Sequence, residues 1–160
     1  MVTISIEVFG EAAISRELLR FGARAADASP AFEMIADMFY ASEKKQFDTE
    51  GEWASGGWTP LAESTVQAKL KNSSWSDMIL QRTKAMMESL TTSTSDFSSK
   101  HVSTDLLEIM STVPYGVFHQ QPNGPGKGII PMRKPVELPE NIKVDMVKVL
   151  QQWIVGNVNL

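Results

Sequence analysis

Few side chains in this sequence have the chemistry of a catalytic or metal-binding site. The chain holds two histidines, His101 and His119, and no cysteine, which excludes disulfides, thiolate ligands and cysteine nucleophiles. A zinc site would have to recruit carboxylates beside the two imidazoles, so we expect no metal. His119 could act as a general base, because an imidazole titrates near neutral pH. It follows Tyr115 and Phe118 in an aromatic turn, and that context favours a packed histidine, hydrogen-bonded to the backbone, over a catalytic one.

The glycine-rich stretch at 124–128, G-P-G-K-G, is the other candidate for chemistry. A phosphate-binding loop needs a Ser or Thr after the lysine and then a helix, and this stretch has neither. The sequence also lacks a G-x-S-x-G elbow and a dinucleotide-binding fingerprint. Its carboxylates are scattered over predicted helix surfaces rather than paired. We therefore predict that the protein is not an enzyme and has no catalytic residue and no cofactor.

Length and composition are those of one globular domain spanning residues 1–160. Apolar residues make up 42% of the chain and charged residues 21%, and the formal net charge is -4. A mild acidic excess does not favour gripping duplex DNA, which requires a broad basic patch. The N-terminal residues lack the basic and apolar regions of a signal peptide, and no apolar run approaches the roughly 18 residues that span a bilayer. We expect the protein to stay in a cytoplasm until it assembles.

Periodicity predicts a strand followed by two long helices. Apolar residues alternate over 2–8, as in a strand with one buried face. From about residue 12 to residue 25 the spacing becomes helical, with an apolar stripe and a flank of three arginines that either faces solvent or contacts a subunit or phosphate. Ser29 and Pro30 then suit a helix start, so a second helix is predicted over 30–47.

The rest of the chain alternates loops with shorter elements. Residues 48–59 form a loop whose tryptophans either fold back as a lid or anchor a partner. Further elements are predicted as helices at 61–71, 77–90 and 140–155, a weak strand within 91–100, and a strand or helical segment at 106–113. The fold class is therefore α+β: several amphipathic helices packed on a small, mostly antiparallel β-sheet, with a long Gly/Pro loop. We expect flexible loops at about 48–58 and 121–129.

Four short motifs resemble, in order, the virion morphogenesis family of tailed bacteriophages. They are G-W-T-P-L at 57–61, I-L-Q-R-T at 79–83, V-P-Y-G-V-F-H-Q at 113–120 and I-P-M-R-K-P at 130–135. The resemblance covers roughly residues 34–154. Lys84 departs from the family, which usually has glycine there.

The resemblance implies a non-enzymatic structural subunit of a ring at the head–tail junction, with a neck, tail-completion or tail-terminator role. Its partners would be other copies of itself, with a hexamer favoured over a dodecamer, and the neighbouring connector, head-closure and tail proteins. DNA would pass through without sequence-specific binding, and no membrane would be involved. The protein would be found in the virion, and in the host cytoplasm during assembly. Alternatives are an assembly chaperone or scaffold that leaves the particle, and a small hydrolase using His119.

A ring of this kind needs two different contact surfaces on each subunit. We expect the loop at 53–60 to form one and the segment at 115–135 to form the other. The candidate contact residues are Trp53, Trp58, Pro60, Tyr115, Phe118, His119, Gln120, Arg133 and Pro135.

Overall fold

The computed structural model describes residues 10–72, 77–121 and 130–156. Over these ranges the chain forms seven helices and a two-stranded sheet. The helices are α1 (Glu11–Ala26), α2 (Ser29–Asp48), α3 (Glu52–Ser55), α4 (Glu63–Leu70), α5 (Ala85–Thr91), α6 (Gly116–Gln120) and α7 (Glu140–Val155). The strands are β1 (Ser98–Val102) and β2 (Leu107–Ser111). The predicted strand at 2–8 and the Gly/Pro loop at 122–129 lie outside the described residues.

The three long helices confirm the predictions from periodicity. The first helical turn of α2 differs in detail, because Ser29 is already helical and does not cap. Asp27 lies ahead of it, and its Oδ1 accepts hydrogen bonds from the Ser29 backbone N–H at 3.0 Å and the Ser29 hydroxyl at 2.6 Å. An acidic side chain so placed satisfies one of the free donors at the start of the helix.

The predicted helix at 77–90 is wrong in its first half. Only α5 is helical, and the residues before it form turns in which Leu80 and Lys84 have φ of 59° and 62°. Such left-handed conformations cannot continue a right-handed helix.

Contacts with the end of α2 explain this departure. The backbone N–H of Ile79 donates to Oε1 of Glu50 at 2.6 Å, and Nε2 of Gln81 donates to the Phe47 carbonyl at 3.2 Å. The Phe47 carbonyl lies in the last turn of α2, where it lacks the usual helical i+4 bond and also accepts from the Glu50 N–H at 3.3 Å. These bonds hold the turn segment against α2, and they replace the helical bonds predicted by spacing.

The sheet is a single antiparallel pair, with Ser98 opposite Ser111 and Val102 opposite Leu107. A hydrogen bond of 2.7 Å between the hydroxyls of Ser89 and Ser111 joins β2 to α5. The predicted α+β class is therefore confirmed, with a much larger helical than strand content.

The hydrophobic core lies where α2, α5, the end of β2 and the loop at 48–59, here called the tryptophan loop, meet. It is made of six buried apolar side chains: Phe47, Trp58, Ile79, Met86, Leu90 and Val113. The Phe47 and Trp58 rings meet edge to face, with centroids 5.4 Å apart. α7 packs against both α2 and α1. At the end of α1, Nε1 of Trp153 donates to the carbonyls of Arg24 and Asp27.

Candidate contact surfaces and a cationic cavity

The two segments predicted to contact other subunits meet within one molecule. Nε1 of Trp58 donates to the Lys134 carbonyl at 3.1 Å. Nε and Nη2 of Arg133 donate to the carbonyls of Thr59 and Pro60 at 2.6 and 2.9 Å. The tryptophan loop and the segment before α7 therefore form one junction rather than two separate faces.

Three of the candidate contact residues lie in the protein interior. Trp58 is 6% exposed and Arg133 is 7% exposed, and Pro135 is also buried. Trp58 belongs to the core cluster, and the buried Arg133 guanidinium is hydrogen-bonded to the backbone within the junction. Since these side chains cannot reach another subunit in this conformation, we remove them from the candidate contact set.

Trp53 and Gln120 are half-buried and already have partners. Nε1 of Trp53 donates to Oγ of Ser42 at 3.0 Å, and Nζ of Lys45 lies 3.3 Å from its ring centroid. These contacts make Trp53 a lid on α2, one of the two roles that the sequence left open. The Gln120 amide donates to the Val136 carbonyl and accepts from the Val136 N–H, at 2.8 and 3.1 Å.

Tyr115 and Pro60 are the candidate residues that stay on the surface. Tyr115 is 41% exposed and precedes α6, and Pro60 is exposed in the junction with Arg133. Phe118 and His119 are half-buried on α6. In the aromatic turn, Tyr115 is therefore exposed to solvent, whereas Phe118 and His119 pack partly against the protein.

Tyr115, His119 and Arg133 line one cavity of about 400 Å³. Its remaining lining residues come from α4 and the residues just before it, from the turn segment before α5, and from α5: Leu61, Thr65, Lys69, Leu80, Arg82, Thr83 and Met86. Lys69 is 8% exposed, and its Nζ donates to the Met78 carbonyl at 2.6 Å. Sequence analysis missed Lys69, because a lysine at the end of a short helix is normally solvated.

Burial dominates the electrostatics of this cavity. It lowers the pKa of Lys69, against the opposing effect of the Asp77 and Glu50 carboxylates. It also lowers the pKa of Arg133, and burial together with the Arg133 charge lowers the pKa of His119. At neutral pH His119 is therefore uncharged.

The hydrogen bonds of His119 differ from the prediction. Its carbonyl accepts from the Arg133 backbone N–H at 3.1 Å, whereas the Nδ1 atom of its side chain is buried and has no hydrogen-bond partner among the described residues. The lining residues of this cavity, as far as the chain is described, include no carboxylate that could orient the ring for catalysis.

A second polar cluster lies between α2, α3 and the start of α7. Glu43 is fully buried, and neither carboxyl oxygen has a hydrogen-bond partner within the described ranges. Desolvation raises the pKa of Glu43 to about 8; the Glu137 backbone amide opposes this rise, and the Glu137 charge adds to it. Glu137 itself accepts from Ser55 Oγ and from Nζ of Lys134, both at 3.0 Å. Glu43 lies four residues after Phe39 of the predicted apolar face, so helical spacing alone could have indicated its burial.

An apolar face of α1 is exposed. Ile14 is 56% exposed, Leu18 65% and Phe21 46%, and with Val155 of α7 they line a groove of about 430 Å³. The predicted apolar stripe on α1 is present, but it faces outward rather than into the core. The sequence pattern could not distinguish these alternatives.

Comparison of the chain with models of known protein families, with curated proteins and with solved structures found no match. The resemblance to phage virion morphogenesis proteins therefore stays a prediction. Among the described residues, no cluster of three or more histidine or acidic side chains is placed to hold a metal ion. No helix in the same part of the chain is long and apolar enough to cross a membrane.

Proposed function

We propose that this protein is a structural subunit of a homo-oligomeric ring at the head–tail junction of a tailed phage. The family resemblance of four ordered motifs suggests the location. The observation that carries the assembly role is the exposed apolar face of α1.

Exposed apolar residues are common singly, but a contiguous group fixed on one helix marks a contact site. The α1 face presents Ile14, Leu18 and Phe21 along successive turns, each about half exposed or more. Fully burying an exposed side chain of this kind contributes about 1.5–3 kcal/mol, and covering one that is already about half buried contributes roughly half as much. A neighbouring subunit that covered this face would gain part of the free energy needed for stable association.

A closed ring also needs a second, different patch on each subunit. The aromatic turn offers one, because Tyr115, Val117 and Met132 are each more than 40% exposed. The hydrogen bond from the Arg133 N–H to the His119 carbonyl places Met132 beside α6. The net charge of -4 agrees with a channel through which DNA passes without being held.

Light scattering after size exclusion, followed by negative-stain imaging, tests the assembly role. We expect the wild-type protein to form closed rings and Leu18→Glu to give a folded monomer, since a charge would be desolvated in the interface. Ala23→Glu is the matched control, because Ala23 is exposed on α1 and does not line the groove. A wild-type protein that stays monomeric at its solubility limit, or two variants that assemble equally well, would contradict the proposal.

The location in the particle needs a separate measurement. Antibodies against the protein should label the head–tail junction of purified virions of the phage that encodes it. Labelling of assembly intermediates without labelling of finished virions would favour the chaperone or scaffold alternative.

A further inference from the structure

We propose that the cavity between α4 and α6 binds a small carboxylate that carries an apolar body, such as a medium-chain monocarboxylate. This inference does not depend on the proposed ring function. It rests on two features of the cavity: an apolar wall and two buried cations.

The apolar wall is formed by Leu61, Leu80 and Met86. Met86 is part of the hydrophobic core, and the two leucines pack against that core. A volume of about 400 Å³ falls in the range of pockets that enclose small ligands. The wall suits a hydrocarbon chain rather than a hydrated inorganic ion.

The cavity is also lined by two buried cations, Lys69 and Arg133. Lys69 and Arg133 donate hydrogen bonds to backbone carbonyls, and neither forms an ion pair with a described residue. The Asp77 and Glu50 carboxylates offset part of the cost of burying the Lys69 charge, and a ligand carboxylate in direct contact would offset more of it. Lys69 has two further N–H donors after its bond to Met78, so a carboxylate in the cavity could accept a charge-assisted hydrogen bond from it.

Arg133 keeps three further N–H donors after its bonds to the Thr59 and Pro60 carbonyls. A ligand carboxylate has acceptor capacity for both Lys69 and Arg133, and an alcohol of the same length has no charge with which to meet either cation.

Octanoate is a suitable probe, with octan-1-ol and acetate as matched controls. Amide chemical-shift titration of the full chain should show saturable binding of octanoate, with shifts concentrated around the cavity. Octanol should bind at least about tenfold more weakly, because it lacks the charge-assisted hydrogen bonds. Acetate should also bind more weakly, because it lacks the apolar body. Equal binding of octanoate and octanol, or octanoate shifts spread over the exposed α1 face instead, would overturn the proposal.

Two pairs of variants locate the site. Lys69→Met should weaken octanoate binding about tenfold or more, while Lys71→Met should not change it, because Lys71 is exposed and does not line the cavity. Thr65→Phe should block the cavity, whereas Ser64→Phe, on the adjacent exposed position, should not. If Lys69→Met does not fold, octanoate binding to Thr65→Phe and Ser64→Phe tests the site instead. Unchanged octanoate affinity in Thr65→Phe would show that the ligand binds elsewhere.

Discussion

Nε1 of Trp58 donates a hydrogen bond to the carbonyl of Lys134, a residue 76 positions further along the chain. The same indole packs edge to face on Phe47 at the end of α2. Trp58 therefore joins the end of the second helix to the segment that leads into the last one. The loop at 48–59 therefore closes the fold of the monomer, and α1 and the aromatic turn are the surfaces that we propose for contacts with other subunits.

Replacing Trp58 by alanine should destabilise the folded monomer. Removing a buried tryptophan side chain typically costs about 3–5 kcal/mol, and here it also leaves the Lys134 carbonyl without its donor. Urea unfolding should show a lower midpoint for Trp58→Ala than for Trp53→Ala, whose side chain is only half-buried. Equal midpoints for the two variants would place Trp58 outside the core.

Gly51 should not tolerate a side chain. Its φ is +90°, and a Cβ atom there would overlap the Trp58 indole. Gly56 has φ of +70° and open space around it, so Gly56→Ala measures the backbone cost alone. We expect Gly56→Ala to lose about 1 kcal/mol and Gly51→Ala to lose clearly more in chemical unfolding. A Gly51→Ala protein no less stable than Gly56→Ala would show that the indole can move aside.

The protein should be more stable with glycine in place of Lys84. It has φ of 62° and an exposed side chain at the start of α5, and the left-handed conformation costs a non-glycine residue about 1–2 kcal/mol. Lys84→Gly should therefore raise the free energy of unfolding by up to about 1 kcal/mol after the entropic cost of glycine. Lys71→Gly, at φ of -72°, is the control and should lower it. Loss of stability in both variants would mean that the Lys84 side chain contributes to the fold.

The pattern of apolar residues within each segment was sufficient to predict the long helices. Apolar spacing and the proline at the start of α2 are properties of contiguous residues, so α1, α2 and α7 could be predicted. The turn at 77–84 could not, because its conformation is fixed by Glu50 and the Phe47 carbonyl, which lie 29 and 34 positions before the residues they bind. Tertiary contacts there override a helical pattern.

The candidate site was predictable only in part. The sequence drew attention to Tyr115, His119 and Arg133, which the fold brings to one cavity. It gave no reason to include Lys69, whose burial depends on the turn segment that sequence analysis took for a helix. Trp58 illustrates the same limit, since a tryptophan in a glycine-rich loop fits a lid and an anchor equally well.

Glu43 should make the stability of the protein depend on pH. Its pKa in the folded protein is about 8, well above the ordinary value of 4.5, so the folded state holds a proton that the unfolded state releases. The stabilising effect of this proton is complete below about pH 4.5 and is lost as the pH rises towards 8. The free energy of unfolding should therefore fall across this interval, by an amount on the order of 4 kcal/mol.

Glu43→Gln isolates this effect, because glutamine resembles the protonated acid and does not titrate. The variant and the wild type should have similar stability near pH 5, and the variant should be the more stable of the two at pH 8. Taking the difference between the two proteins removes the contribution of His119, whose lowered pKa acts in the opposite direction below pH 6.5. Glu137 does not interfere, since its lowered pKa confines its titration to pH below about 4.5. Both proteins should be unfolded in urea at several pH values from 5 to 8. A difference in free energy of unfolding between them that does not change with pH would contradict the prediction, because it would show that Glu43 is already ionised in the folded state.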